Sequence, residues 1–355
     1  MAIDELPINI HFFPKELQED EIESCNDDYN KEDPNGLNFR KICSDVVRRH
    51  FDDGWNTMKP LFNDKKIKSI EIFIDLIGVE DTTNIAAFVP PLSTHAGDMD
   101  FTGGFYVNKH LLKVYLKDYW DKNFELKIFY KSVWHHELIH FLNYNYKDDN
   151  DYYNFQNSRI RGKLVLNHLL RFRVEGVADL YYTLKNHGAI KDMVSARKGF
   201  RDEINRIVNL PWQSLGDLKE LISSLRSTFS YYDLGPWMVL HALSCPDNSD
   251  RFPQVNEIIK RLSVGDVIDD QEVFPIIRKA LQLDNYTFLK FLIVPWTDGL
   301  PFIDQNGMNL LTKATGKILS RSTAPVSGDI DHPQEIPTIN KIIDFYNQFI
   351  IINNI

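Results

Sequence analysis

The sequence is short of cysteine, of excess positive charge and of long apolar runs, and each shortage removes a class of protein. Three cysteines, Cys25, Cys43 and Cys245, stand far apart in 355 residues. They make neither a disulfide framework nor a paired-cysteine zinc site, so a reducing compartment is the expectation. Acidic residues number 50 against 40 basic, a formal net charge of −10. With that sign and no polybasic tract, no nucleic-acid partner is expected. No stretch approaches the roughly 18 apolar residues that a membrane span needs, and the apolar tail beginning at Phe349 is far too short. The start, Met1-Ala-Ile-Asp-Glu-Leu-Pro, shows no cationic segment leading into an apolar run. No secretory signal is therefore expected, and a cytoplasmic location is.

What is present is ordinary globular material: 43% hydrophobic and 12% aromatic residues, enough to bury a sizeable core. Length alone argues for two domains, or one domain in two lobes. Residues 1–36 are polar and acidic and read as a loosely held arm. After the turn signal Asn35-Gly36, Leu37 to Phe62 carries Ile42, Val46, Val47, Phe51 and Trp55 at helical spacing. Ile67 to Ile77 reads as an inner strand and Ile85 to Val89 as a short one stopped by Pro90-Pro91. Phe105 to Leu116 reads as a hairpin turning at Asn108-Lys109. Lys127 to Tyr144 and residues 158–187 read as helices, the second ended by Asn186-His187-Gly188. Beyond it the pattern is helical almost throughout, at 190–208, 217–228, 235–243, 253–262, 271–282, 286–292 and 336–352. Strands first and helices afterwards predict an α+β fold. The expected division is an arm over 1–36, an α/β lobe over 37–146, a helical lobe over 147–250 and a helical C-terminal region over 251–355.

Chemistry concentrates in Trp134-His135-His136-Glu137-Leu138-Ile139-His140, which contains HExxH. On a helix, positions i and i+4 share a face, so His136 and His140 can aim imidazole nitrogens at one Zn²⁺. Glu137 lies about 100° round from His136, placed for a water on the metal rather than for the metal itself. A helix with two satisfied histidines is the plainer alternative. A zinc hydrolase needs a third protein ligand and an open position for water. Glu175 and Asp179 supply a second i, i+4 pair in Arg173-Val-Glu175-Gly-Val-Ala-Asp179-Leu-Tyr. An acidic pair among apolar neighbours needs a partner, and a dication is a good one. His168, Asp148 and Asp149 are rival third ligands.

HExxH followed by a helix bearing Glu-x-x-x-Asp resembles the gluzincin clan of zinc metallopeptidases, which includes thermolysin. The resemblance covers residues of about 67–245. It implies a zincin-like fold: a small mixed sheet, the HExxH helix, then a mainly helical lobe. It implies one Zn²⁺ per chain on His136, His140 and Glu175, with Glu137 as general base. Asp179 would then accept the ring N–H of His136, fixing its tautomer and raising its basicity. The 34 residues between His140 and Glu175 exceed the spacing usual in the thermolysin and aminopeptidase branches.

Two further elements follow from the resemblance. Tyr231-Tyr232-Asp-Leu-Gly235-Pro is similar to the Tyr-x-x-Gly segment of the aminopeptidase branch, whose tyrosine hydroxyl steadies the oxyanion. By position that residue is Tyr232, with Tyr231 and then His241 as alternatives. The hairpin around Gly103, Gly104 and Phe105 looks like the one whose edge strand pairs with extended substrate in many zincins. The aminopeptidase signature Gly-x-Met-Glu-Asn has no counterpart, since the loop reads Gly97-Asp-Met-Asp-Phe. Endopeptidase action on a peptide or protein substrate is the favoured expectation. An inactive zincin-like scaffold and a zinc hydrolase of a non-peptide bond are the alternatives.

Overall fold

In the computed structural model the described residues are chiefly 7–13, 39–62, 69–76, 85–89, 104–146, 164–193, 230–244 and 268–283, with a few isolated positions between them. The chain divides into two compact units, Met1–Asn145 with His332–Ile355, and Tyr146–Asp331. The architecture is α+β, mostly helical with one small mixed sheet.

The first unit is built on four strands, β1 (Ile8–Phe13), β2 (Ile70–Asp75), β3 (Ala86–Val89) and β4 (Gly104–Val107), in the spatial order β1-β2-β4-β3. β1, β2 and β4 run parallel, and β3 pairs antiparallel with β4. β2 has a neighbour on each side and all six of its residues are buried, as its unbroken apolar run predicts. Residues read as a loose acidic arm include β1. Ile8, Ile10 and Phe12 alternate with Asn9, His11 and Phe13, a short strand pattern beside a long acidic run.

Helix α1 (Phe39–Met58) buries Val46, Val47, Phe51 and Trp55 as its spacing demands. The expected hairpin over 105–116 is replaced by β4 followed by helix α2 (Lys109–Trp120). Asn108 is the N-cap, its side chain accepting from Leu111 N at 2.9 Å. Leu111, Leu112, Tyr115 and Leu116 fall on the buried face of that helix. The partner that makes β4 part of a ribbon is β3, which comes before it in the chain.

Helix α3 (Ile128–Tyr146) carries HExxH. Its Trp134 and Phe141 enter an aromatic core with Phe51, Phe88 and Phe105 at ring separations of 5.1–5.8 Å. α1 passes so close that a Cβ on Gly54 would stand 2.6 Å from Trp134 Cβ. The other face of the sheet carries a polar cluster beside Phe73. Glu71 accepts from Asn9 at 2.9 Å and from Ser69 at 2.8 Å, and lies 2.6 Å from His11 Nε2. Burial pushes the Glu71 carboxyl up, but the hydrogen bonds from His11, Asn9 and Ser69 outweigh it and hold it below its usual value.

The second unit contains α4 (Leu164–Ala178), α5 (Leu180–Lys185), α6 (Tyr231–Ser244) and α7 (Asp270–Gln282). The helix expected over 158–187 is interrupted at Asp179 and again at Asn186, and helix resumes over 187–193. α6 starts at Tyr231, four residues earlier than its pattern indicates. Arg173 donates to Leu283 O at 2.7 Å, and Tyr181 to Asp270 at 3.1 Å, tying α4 and α5 to α7. The helices expected at 217–228 and 336–352, and the loop Leu92–Thr102, lie outside the described residues.

Candidate metal centre

α3 is apolar on the side of Trp134, Leu138 and Phe141, which are fully buried. At 100° per residue, His136 and His140 project from the opposite side. Their Nε2 atoms stand 2.9 Å apart. Two nitrogens held about 2.0–2.1 Å from one tetrahedral zinc would stand about 3.3 Å apart, so a shift of a few tenths of an ångström makes them a ligand pair. Two histidines hydrogen-bonded to each other would show the same contact, and a third donor separates the readings.

Glu175 is the candidate for that donor. Among the described residues, His136, His140 and Glu175 form a group able to hold a metal ion, their ligand atoms all within 4.8 Å of one another. Two imidazoles and one carboxylate are a donor set that suits zinc and leaves a fourth position open. Of the rival ligands, Asp148 and Asp149 lie outside the described residues, as does the side chain of His168, whose backbone is in α4.

Glu137 is 7% exposed and accepts a hydrogen bond from Phe88 N at 2.6 Å. The sheet edge at β3 is thereby fastened to the HExxH helix. Glu137 thus has a structural partner, which the motif alone does not reveal. The strand expected to receive substrate, at Gly103, Gly104 and Phe105, is not an edge. β4 is flanked by β2 and β3, Phe105 is fully buried, and a Cβ on Gly104 would stand 2.8 Å from Glu71 O. Gly103 lies outside the described residues. The glycine at 104 serves close strand approach, and among the described residues the edge on that side of the sheet is β3.

Within the second unit, Glu175 and Asp179 stand one turn apart. Asp179 N donates to Glu175 O at 2.9 Å and Asp179 O accepts from Thr183 N at 2.9 Å, so the ladder continues through the break between α4 and α5. α4 and α6 meet backbone to backbone. A Cβ on Gly176 would come within 2.3 Å of Gly235 C, and one on Gly235 within 2.5 Å of Phe172 O. That contact sets the height of α6 beside Glu175. One turn before Gly235, the Tyr231 ring packs on Phe172, centroids 4.7 Å apart, and under the Arg171 guanidinium at 4.8 Å. Arg171 Nε lies 3.7 Å from Glu175 Oε1. Tyr232 is 47% exposed. His241 stacks on Trp237 at 5.8 Å. Burial, then the charges of Asp192 and Asp179, push the Asp233 carboxyl above its usual value, so the start of α6 is an acidic neighbourhood.

Two participants are not evident from the motifs. Arg171 is signalled only by its place four residues before Glu175, on the same helical face. The Phe88 N–H is a backbone group and leaves no residue-type signal.

Compared with known proteins, the chain matches no family model, no curated protein and no solved structure.

Proposed function

We propose that the protein is a zincin-like, zinc-dependent metallohydrolase of the gluzincin type, acting on peptide bonds, with one Zn²⁺ held by His136, His140 and Glu175. The observation that carries the reading is the grouping of those three ligand atoms within 4.8 Å. Two of the ligand atoms come from the HExxH helix and the third from α4. Zinc in such a site supplies Lewis acidity and a water that loses its proton near neutral pH. Glu137 would act as general base toward the attacking water and pass that proton to the leaving amine. Its hydrogen bond from Phe88 N fixes the carboxylate's orientation. The gluzincin resemblance assigns Asp179 the role of accepting the ring N–H of His136, which would orient that imidazole. Tyr232, exposed on the first turn of α6, donates to the oxygen that becomes negative in the transition state. An extended substrate adds to the β3 edge rather than to β4.

The test is turnover in a peptide library by wild type and Glu137→Gln with zinc content measured in both. Glu137→Gln keeps an oxygen for Phe88 N–H and should keep zinc while losing turnover by roughly 10²–10⁴-fold. Wild-type rates in that variant remove Glu137 from the chemistry.

One observation favours a second reading, an inactive zincin-like scaffold. Glu137 already has a role in holding β3, so its presence does not by itself require catalysis. Zinc binding with no cleavage by wild type across peptide and ester libraries would establish that reading.

A further inference from the structure

Arg171 and Tyr231 lie outside the ligand set and outside the proton transfers, yet they are joined to Glu175 by a continuous set of contacts. The Arg171 guanidinium stacks on the Tyr231 ring at 4.8 Å, and its Nε lies 3.7 Å from Glu175 Oε1. Tyr231 is itself held on Phe172 at 4.7 Å. The Arg171 and Glu175 side chains are only 25% and 14% exposed, so solvent screens the pair less than a surface ion pair.

We propose that Arg171 and Tyr231 form a clamp that positions Glu175 as a metal ligand. This rests on the assignment of Glu175 as the third ligand. A guanidinium suits a clamp because it can lie over an aromatic ring and still reach a carboxylate with an N–H. At 3.7 Å the contact to Glu175 is an ion pair rather than a hydrogen bond. It holds the carboxylate near one orientation and leaves its oxygens able to turn to a cation. The clamp also divides the labour of the adjacent tyrosines. Tyr231 is a positioning residue that uses its ring, and the half-exposed Tyr232 carries the hydroxyl assigned to the oxyanion. Because Tyr231 opens α6, the same clamp fixes Tyr232 relative to Glu175.

The experiment is zinc affinity of the full-length chain by competition with a colourimetric chelator, alongside chemical denaturation of each variant. Arg171→Met and Tyr231→Ala should each weaken zinc binding by about 10–100-fold, the range seen when a ligand's outer partner is lost. Tyr231→Phe keeps the ring and should stay within about threefold of wild type. Arg171→Lys keeps the charge but not the planar fork and should fall between Arg171→Met and wild type. The Arg171→Met/Tyr231→Ala double variant should bind no worse than the weaker single, because both changes break one unit. Arg171→Met binding zinc as tightly as wild type, or more tightly, overturns the clamp. So does a Tyr231→Phe loss equal to that of Tyr231→Ala. Glu175→Ala runs in parallel. If it too keeps wild-type affinity, the ligand assignment falls and the clamp with it. If it loses zinc while Arg171→Met does not, only the clamp falls.

Discussion

Gly176→Ala isolates the contact that holds the helix of Glu175 against the helix bearing Tyr232. The added Cβ would stand 2.3 Å from Gly235 C and 2.4 Å from Gly235 O, all backbone atoms of α6. Ordinary contact begins near 3.4 Å, so the helices must part by about 3.4 − 2.3 = 1.1 Å. No side chain can turn aside to absorb this. Overpacking of that kind costs roughly 1–3 kcal/mol, and the better helix propensity of alanine returns about 1 kcal/mol. The net loss of stability should therefore be modest, about 0–2 kcal/mol, and the chain should still fold. Function should suffer more, since a displacement near 1 Å at a catalytic constellation can cost about 10²-fold in turnover. Denaturant midpoints and kcat/KM measured together separate the two effects. Gly188→Ala is the control, because its Cβ would meet only Asn186 Oδ1, at 3.2 Å, on an exposed helix end. Full stability and full turnover in Gly176→Ala would refute the close approach itself. Wild-type turnover with reduced stability would show that α6 carries nothing the reaction needs.

Other outcomes follow from the same structure. Asn108→Ala should lower stability by about 1 kcal/mol through loss of the cap on α2; an unchanged denaturation midpoint would argue against that helix start. Glu137→Ala leaves the buried Phe88 N–H without its acceptor and should cost about 1–3 kcal/mol, whereas Glu137→Gln should unfold near the wild-type midpoint. Burial, reinforced by Arg49, lowers the His50 pKa from 6.5 to about 4 while Asp118 and Asp53 oppose the shift, and the ring stacks on Tyr115 at 4.0 Å. The folded chain thus keeps His50 neutral where the unfolded chain protonates it. Its contribution is whole above pH 6.5 and is lost as pH falls toward 4, about 2 kcal/mol of it between pH 7 and 5. His50→Phe should flatten the pH dependence of the urea midpoint over that range; an unchanged slope contradicts the assignment.

Long periodic elements were legible in the sequence because one physical signal governed them. The apolar stripe of α1, the continuous apolar run of β2 and the HExxH helix all appear where the pattern puts them. The failures come from signals that serve two structures. Asn108-Lys109 reads as a two-residue turn, yet asparagine is equally a helix N-cap, and Leu111-Leu112 with Tyr115-Leu116 suits the helix once the cap is chosen. β1 was hidden because six residues of alternating pattern sit beside acidic chain and gain stability only by pairing with β2, far along the sequence. At the candidate site, spacing alone singled out His136, His140 and Glu175, whose ligand atoms lie within 4.8 Å of one another. The fastening of Glu137 by Phe88 N–H and the stacking of Arg171 on Tyr231 depend on tertiary contacts, which no local periodicity encodes.

The most direct measurement is anomalous diffraction at the zinc edge from crystals of the zinc-loaded, full-length chain. The account predicts one strong peak per chain, about 2.0–2.2 Å from a ring nitrogen of His136, a ring nitrogen of His140 and a carboxylate oxygen of Glu175. A peak bound without Glu175, or zinc held elsewhere on the chain, would contradict it.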